Sequence, residues 1–598
     1  MTPTGTDLGN PVGGGSAVRS GTGAELLVQA FIAAGVRHLF GVPGDTGVAL
    51  YDALYDHTAE VRHVLARDER HAAVMADAYA RVSRRPGVLE VSSGGGVTFA
   101  VGGLGEAYAA SVPVLVVASD IHRGSRGTGA LTEIDQVQLF AAVTKQAIVA
   151  ERADGIPADV ARALRLAVTG RPGPVALIVP EDVLDEQGSA QVTPFLAGPL
   201  LPAARQPADA AAVGRAAEVL AAARQPAVLA GSGVHCSGAY SELADLAEAL
   251  GAAVATSIHG KGVLPDSSPW SLGVTGNNGG SDAAHEWLAA ADAVLVVGSR
   301  ANATDTDSFT APPRSASVIG VDVEPSRIAR NYPGALLLTG DAGTVLGQIR
   351  AALPETVAGM AGRRTRLAAL RERQPTPAAS ASPGELPPGT LLADDVIGVL
   401  DSVFAERLAA AGPGHEPLVL ADPGTPTPAV ASRWPVRVPG RSVLVPRGHG
   451  PMGYAIPGAV GAAMAAPGRP VIALTADGSF AMCCGELETI ARLGLPVIVV
   501  QLTNHSLGWI KMLQHLYHDG RYFGVDPGPI DAVAVARACG LRAHRPDSAG
   551  ALRGQLSTAL GDGKPLYLDI DVPHMIDVVP QVPAWHRALR GDRARPVY

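Results

Sequence analysis

The chain has 598 residues and a formal net charge of -9 that is mixed along its length with no basic stripe, which argues against nucleic acid or an acidic membrane surface as partner. Hydrophobic residues make up 47% and aromatics only 4%, so Ala- and Val-rich cores are affordable and the length points to three or four domains. No apolar run reaches the roughly 18 residues of a membrane span. The four cysteines, at 236, 483, 484 and 539, fit neither a zinc site nor a disulfide framework, and this points to a reduced, cytoplasmic setting.

Residues 1–20, rich in Gly and Thr and lacking an apolar h-region, read as a disordered lead-in and not as a signal peptide. Residues 21–190 alternate helices such as Ala24–Ala34 with apolar runs at His38–Val42, Val88–Val91, Val112–Ala118 and Val175–Val179. Short β-branched runs between amphipathic helices are the mark of buried parallel strands. A connector with Pro194, Pro199, Pro202 and Pro207 follows. Residues 205–370 repeat the pattern, with candidate strands Ala227–Ala230, Ala253–Thr256, Ala293–Val297 and Ser317–Val321. Residues 371–390 hold five prolines from Gln374 onward and read as a linker. Residues 391–572 carry Leu418–Ala421, Val471–Thr475, Val497–Leu502 and Leu566–Ile570, and 573–598 form a tail that either folds over the site or stays loose. The sequence thus predicts an α/β fold of three doubly wound domains with mainly parallel sheets.

The chemistry concentrates in the third segment. One strand ends at Asp477-Gly478-Ser479 and the next at Thr503-Asn504-His505-Ser506. The carboxyl ends of neighbouring strands converge on one crevice, so Asp477 and Asn504 are expected to meet there. Their oxygens, with a backbone carbonyl, are hard ligands suited to Mg²⁺. Gly478 lets the backbone approach a diphosphate, whose charge the following helix N-terminus favours. Either fragment alone is more often a turn or a cap; the two together, each after a buried strand, favour metal–diphosphate binding.

These residues resemble the thiamine diphosphate-dependent enzymes of the acetolactate synthase and benzoylformate decarboxylase group, whose motif is Gly-Asp-Gly followed some two dozen residues later by Asn-Asn. Here Ala476 and Thr503 replace the first residue of each half, while Asp477 and Asn504 are kept. The resemblance implies Asp477, Asn504 and the carbonyl of Ser506 as Mg²⁺ ligands. It implies Thr425, Gly478, Ser479 and Asn504 at the cofactor, Met452 as the wedge that bends it, and the Gly450 carbonyl as acceptor for its 4′-amino group. Glu69, ten residues before Tyr79, takes the place of the glutamate that hydrogen-bonds N1′ and thereby favours loss of the proton from C2. Asp68 either raises the Glu69 pKa or pairs with Arg67 or Arg70. The family builds each site between two subunits, so a homodimer or homotetramer is implied.

Around the substrate the pattern departs from acetolactate synthases: Leu131-Thr132-Glu133 stands for Phe-Gln-Glu and Leu513 for a Trp, while Lys145 is kept. Thr132, Lys145, Trp509 and Leu513 are the candidate pocket residues, although an apolar stripe at helical spacing is more often core. The resemblance implies decarboxylation of a pyruvate-like 2-oxo acid and ligation of the resulting enamine to a second carbonyl compound. The alternatives are simple decarboxylation to an aldehyde, with His449 and His505 as candidate acids, and a silent regulatory relative. Intact Glu69, Asp477 and Asn504 argue against silence. A dehydrogenase fails for want of a complete Gly-x-Gly-x-x-Gly. Gly231-Ser232-Gly233 leaves FAD in the central domain as the weaker reading, since a lone Gly-x-Gly is a poor signal.

Overall fold

The computed structural model describes residues 16–195, 200–372, 386–412, 416–592 and 594–596. Three six-stranded parallel sheets carry the chain. The first is ordered Arg62–Leu65, His38–Val42, Gly87–Val91, Val114–Asp120, Val175–Pro180, Ala147–Val149. The third is ordered Val443–Leu444, Leu418–Ala421, Val471–Ala476, Val497–Thr503, Leu566–Asp571, Arg542–His544. Ranked along the chain, both read 2-1-3-4-6-5, so the order reverses between the first and third strands, where the crevice of a doubly wound sheet opens. The central sheet differs. Its order is Ser271–Val274, Ala253–Thr256, Pro226–Ala230, Ala293–Val297, Ser317–Asp322, Leu336–Thr339, or 3-2-1-4-5-6.

The expected interior strands all form, because runs such as Ala293–Val297 and Val471–Ala476 are buried along their whole length and so need helices on both faces. The shorter edge strands, such as Ala147–Val149 and Val443–Leu444, carry little apolar signal and were not anticipated. The loose lead-in is corrected at its end. Residues 1–15 lie outside the described residues, but Ala17–Thr22 is a strand paired antiparallel with Gln187–Val192. Of the expected linker, 373–385 lie outside the described residues, while Arg371 and Glu372 close the helix Met360–Glu372.

The chain divides into two compact units. The first contains residues up to Ala203 together with Gly448–Pro451 and Pro457–Pro467. Its helices Gly23–Ala33 and Ile156–Val168 cover one face of the first sheet, setting Leu27, Phe31, Val160 and Leu164 against Leu39, Val88, Leu115 and Leu177. Helices Glu69–Ser83 and Gly95–Ala109 meet across glycine: a Cβ added to Gly103 would lie 2.6 Å from both the Arg70 carbonyl and the Ala73 methyl. Inside this unit Arg81 is a buried cation held by Asp77 (2.8 Å) and Glu106 (2.9 Å). Glu106 also accepts the backbone N–H groups of Gly448 (3.2 Å), His449 (2.6 Å) and Gly450 (3.2 Å).

The second unit holds the central and third sheets and the tail. The tail is folded here: helix Pro583–Leu589 buries Trp585 against Trp509, with ring centroids 4.5 Å apart, and Arg587 pairs with Asp307 at 2.5 Å.

Candidate active site

In the third sheet, the strand Val471–Ala476 delivers Asp477 and Ser479 to the first turn of helix Asp477–Cys483. Two oxygens there, Asp477 Oδ1 and Ser479 Oγ, are buried without a hydrogen-bond partner. A buried polar atom without a partner costs about 1–3 kcal/mol, so two of them within three residues mark a place built for something else. Burial pushes the Asp477 pKa up against the backbone N–H groups of Gly478 and His505 and the nearby His505 ring. The ordinary remedy for such a carboxylate is a cation. Between the two orphans, Gly478 has no room for a side chain, since an added Cβ would lie 2.8 Å from Leu507 Cδ2 and 3.2 Å from Met452 Cε. The bare backbone and the Met452 tip therefore share one recess.

The next strand, Val497–Thr503, brings Asn504 to the same end. Its amide donates to Thr425 Oγ1 at 3.2 Å, and its Oδ1 accepts from the Ser506 backbone (3.3 Å) and hydroxyl (3.2 Å). The Ser506 carbonyl takes the Gly508 N–H at 2.8 Å, which leaves one lone pair for another partner. A Cβ on Gly508 would sit 2.8 Å from Asn504 Nδ2 and 3.4 Å from Thr425 Oγ1, so the helix Gly508–Tyr517 begins hard against this pair. Thr425, Met452, Asp477, Gly478, Ser479, Asn504 and Ser506 thus form one cradle. Among the described residues no group of three His, Cys, Asp or Glu side chains could hold a metal. A cation in the cradle would rest on one carboxylate, one amide oxygen and backbone, a hard donor set that fits Mg²⁺.

Asp422 braces the cradle from within. Its carboxyl accepts from Tyr454 N (2.6 Å), Ala455 N (3.1 Å) and Thr475 Oγ1 (2.7 Å), and burial lifts its pKa to about 6. Ser506 Oγ also meets His574 Nδ1 of the tail at 3.2 Å.

In the first unit, Glu69 opens the helix Glu69–Ser83, and Asp68 is its N-cap, accepting the Arg70 N–H at 2.8 Å. Asp68 also pairs with the Arg70 guanidinium at 2.7 Å; burial acts upward on its pKa, but these bonds leave it below the ordinary value. Across the crevice, Gly94-Gly95-Gly96 turns the chain into the helix Gly95–Ala109. Gly94 has φ +66 and an added Cβ would lie 2.7 Å from Thr132 Cβ, so only glycine serves there. One Cβ on Gly96 would come 2.9 Å from Ser92 Oγ and 3.5 Å from Glu69 Oε1. Thr132 joins this group through Ser93, whose hydroxyl donates to it at 2.7 Å. Gly450 also belongs to this unit, its N–H tied to Glu106.

Lys145 does not join either group. Its ammonium donates to the carbonyls of Leu166 (2.5 Å) and Thr169 (2.7 Å), at the C-terminal end of the helix Ile156–Val168. Trp509 and Leu513 lie on the helix Gly508–Tyr517 with Met512, packed against Met575 and Trp585 of the tail, and Arg447 stacks over Trp509 at 5.4 Å. The glycines of Gly231-Ser232-Gly233 are explained by packing: a Cβ on Gly233 would lie 2.5 Å from Gly298 Cα. Sequence reasoning missed Glu90, Glu106 and His574. For Glu90 there was a signal, a lone carboxylate inside the apolar run Val88–Val91.

Three family profiles match the chain in order: the thiamine pyrophosphate enzyme N-terminal TPP binding domain over residues 21–139, the central domain over 213–349 and the C-terminal TPP binding domain over 422–570. A "probable acetolactate synthase large subunit" of Methanocaldococcus jannaschii is 32% identical over 568 residues, 94% of this chain and 93% of that one. An "acetolactate synthase" of Arthrospira platensis is 30% identical, covering 95% and 97% of the two chains. A "probable 2-ketoarginine decarboxylase" of Pseudomonas aeruginosa is 35% identical, covering 90% and 92%.

Proposed function

Since the chain belongs to the thiamine diphosphate enzyme family, with acetolactate synthase-like relatives, we propose that it decarboxylates a pyruvate-like 2-oxo acid and joins the remaining fragment to a second carbonyl compound. The observation that carries this reading is the pair of orphan oxygens, Asp477 Oδ1 and Ser479 Oγ, flanking a glycine too crowded for a side chain. Asp477, the Asn504 oxygen and the Ser506 carbonyl would hold Mg²⁺, and Thr425, Gly478 and Ser479 would take the diphosphate. Thiamine diphosphate supplies a nucleophilic carbon for the substrate carbonyl and a ring that accepts the electrons left by CO₂. Glu69 would hold or return one proton at the pyrimidine nitrogen N1′, the Gly450 carbonyl would accept from the 4′-amino group, and Met452 would pack against the cofactor. Thr132, Trp509 and Leu513 shape the space for the acceptor.

A second reading, release of an aldehyde without ligation, is favoured by the relative named as a 2-ketoarginine decarboxylase. We also propose a homodimer or homotetramer with sites between subunits. Phe99, Leu131 and Val137, exposed apolar side chains around the Thr132 turn, support a covered face there. A cytoplasmic setting fits four cysteines of which none forms a disulfide.

The test is CO₂ release from a panel of 2-oxo acids, with and without thiamine diphosphate and Mg²⁺, for the wild type and Glu69→Gln. Cofactor-dependent release that the variant loses by about 10²–10⁴-fold is expected, and the products separate ligation from simple decarboxylation. Release independent of the cofactor would overturn the reading.

A further inference from the structure

The strands Arg62–Leu65, His38–Val42 and Gly87–Val91 lie side by side in the first sheet and run parallel. Their carboxyl ends lead to Glu69 and Ser92; their starting ends carry Arg62, Arg37 and Arg85. Parallel pairing thus delivers three arginines to one rim, opposite the end that holds Glu69. His38 is the register partner of Arg62, whose N–H donates to the Arg37 carbonyl at 2.9 Å. Gly35, just past the helix Gly23–Ala33, has φ +72, and a Cβ added there would lie 3.8 Å from Arg85 Nη1. The Arg85 guanidinium is therefore held over the turn that leads to Arg37.

Arg37, His38, Tyr79 and Arg85 line a cavity of about 20 Å³ at this rim, room for about one water-sized group. His38 Nδ1 is buried without a hydrogen-bond partner, and the ring stands 5.4 Å from that of Tyr79. Both rings lie in a positive field. Burial, then Arg62 and Arg37, hold the His38 pKa down at about 4. Burial raises the Tyr79 pKa, and Arg85 and Arg37 act against it. No carboxylate acts on either ring, and among the described residues no ion pair or side-chain hydrogen bond engages the guanidinium groups of Arg37, Arg62 and Arg85. Arg81 of the same unit shows the contrast, since Asp77 and Glu106 neutralise it. Like charges gathered without a counter-ion repel, and an oxyanion removes that repulsion while matching the planar donor fork of arginine.

We propose that Arg37, Arg62 and Arg85, with His38 and the Tyr79 hydroxyl, form a binding site for a phosphate group on the rim of the first sheet opposite Glu69. One phosphate oxygen enters the cavity, where the neutral His38 ring and the Tyr79 hydroxyl each offer a donor, and the guanidinium groups flank the remaining oxygens. The site shares no residue with the cofactor cradle, whose Thr425, Gly478 and Ser479 belong to the other unit. Inorganic phosphate and the phosphate of a larger metabolite present the same chemistry to it.

The test is equilibrium dialysis of the full chain, saturated with thiamine diphosphate and Mg²⁺, against labelled inorganic phosphate at neutral pH and constant ionic strength. One site per chain of millimolar or tighter affinity is expected. Arg37→Gln and Arg85→Gln should each weaken it about tenfold and the double variant about 100-fold, while all three melt with the wild type. Arg152→Gln, a surface arginine already paired with Asp154, should bind as the wild type does. In crystals soaked with tungstate, a heavy oxyanion of the same shape, the metal peak should stand between Arg37 and Arg85. Adenosine monophosphate binding about tenfold tighter than phosphate, with the same loss in the variants, assigns the site to an organic phosphate; equal or weaker binding assigns it to the free ion. Undiminished binding by the double variant, tungstate only at other places, or no binding of either phosphate overturns the proposal.

Discussion

The first and third sheets share one strand order, yet they treat a buried acid in opposite ways. Asp422, at the end of the first strand of the third sheet, receives the backbone N–H groups of Gly453, Tyr454 and Ala455 and a threonine hydroxyl, and its pKa rises only to about 6. Glu90, on the third strand of the first sheet, receives a single tyrosine hydroxyl, keeps one oxygen bare, and rises to about 8. The number of donors that meet the carboxyl decides whether it is charged at neutral pH. Function divides along the same line. In the proposed function the third sheet supplies the hard oxygen donors that would hold the cofactor, while the first supplies the acid that would exchange a proton with it. Even the positions correspond, since Glu69 follows the second strand of the first sheet and Gly450 follows the second strand of the third.

The division between holding and exchanging can be broken most directly at Asp477. Asp477→Ala should weaken cofactor binding by at least about 100-fold in a fluorescence titration, whereas Glu69→Gln should change affinity far less than turnover. Equal losses of affinity in both variants would erase the distinction. Next in size is the buried triad of the first unit. Arg81→Met strands Asp77 and Glu106 and should cost about 3–5 kcal/mol in denaturant unfolding. Asp422→Asn sharpens the comparison by pH. The folded pKa of Asp422 lies above its unfolded value of 3.8, so its contribution is full below about 4 and is lost as pH rises through about 6. The wild type should therefore lose up to about 3 kcal/mol relative to the variant across that window, followed as Tm against pH. Smallest is Lys145→Met, which removes a helix cap at about 1 kcal/mol and should leave KM for the 2-oxo acid unchanged.

Much of this was legible in the sequence, and the physical reason is the same for fold and site. Interior strands such as Ala253–Thr256 and Ala293–Val297 are uniformly apolar because both faces are covered, and their bounds could be read to the residue. Edge strands such as Arg542–His544 are half wet and carry no such pattern. Asp477 and Asn504 were legible because each follows a buried strand, which fixes where the side chain must emerge. The partners of those residues were not. That Glu106 meets residues 448–450, or that His574 meets Ser506, depends on segments far apart in the chain, and no local periodicity reports it. The carbonyls that Lys145 meets were hidden for a related reason: a lysine beside a pocket motif and a lysine capping a helix look alike in sequence.

Glu106 bears on how the protein is made. Its last three donors lie 342 to 344 residues downstream. At about 5–20 residues per second, a ribosome needs roughly 20 to 70 s to supply them after Glu106 itself has been added. Throughout that interval the nascent first unit carries an incompletely bonded carboxylate in its interior, and the loop that presents Gly450 has not been synthesised. The first unit therefore reaches its final form only when the third sheet is being translated, and slowing synthesis between residues 200 and 450 should lengthen its exposure to chaperones and proteases.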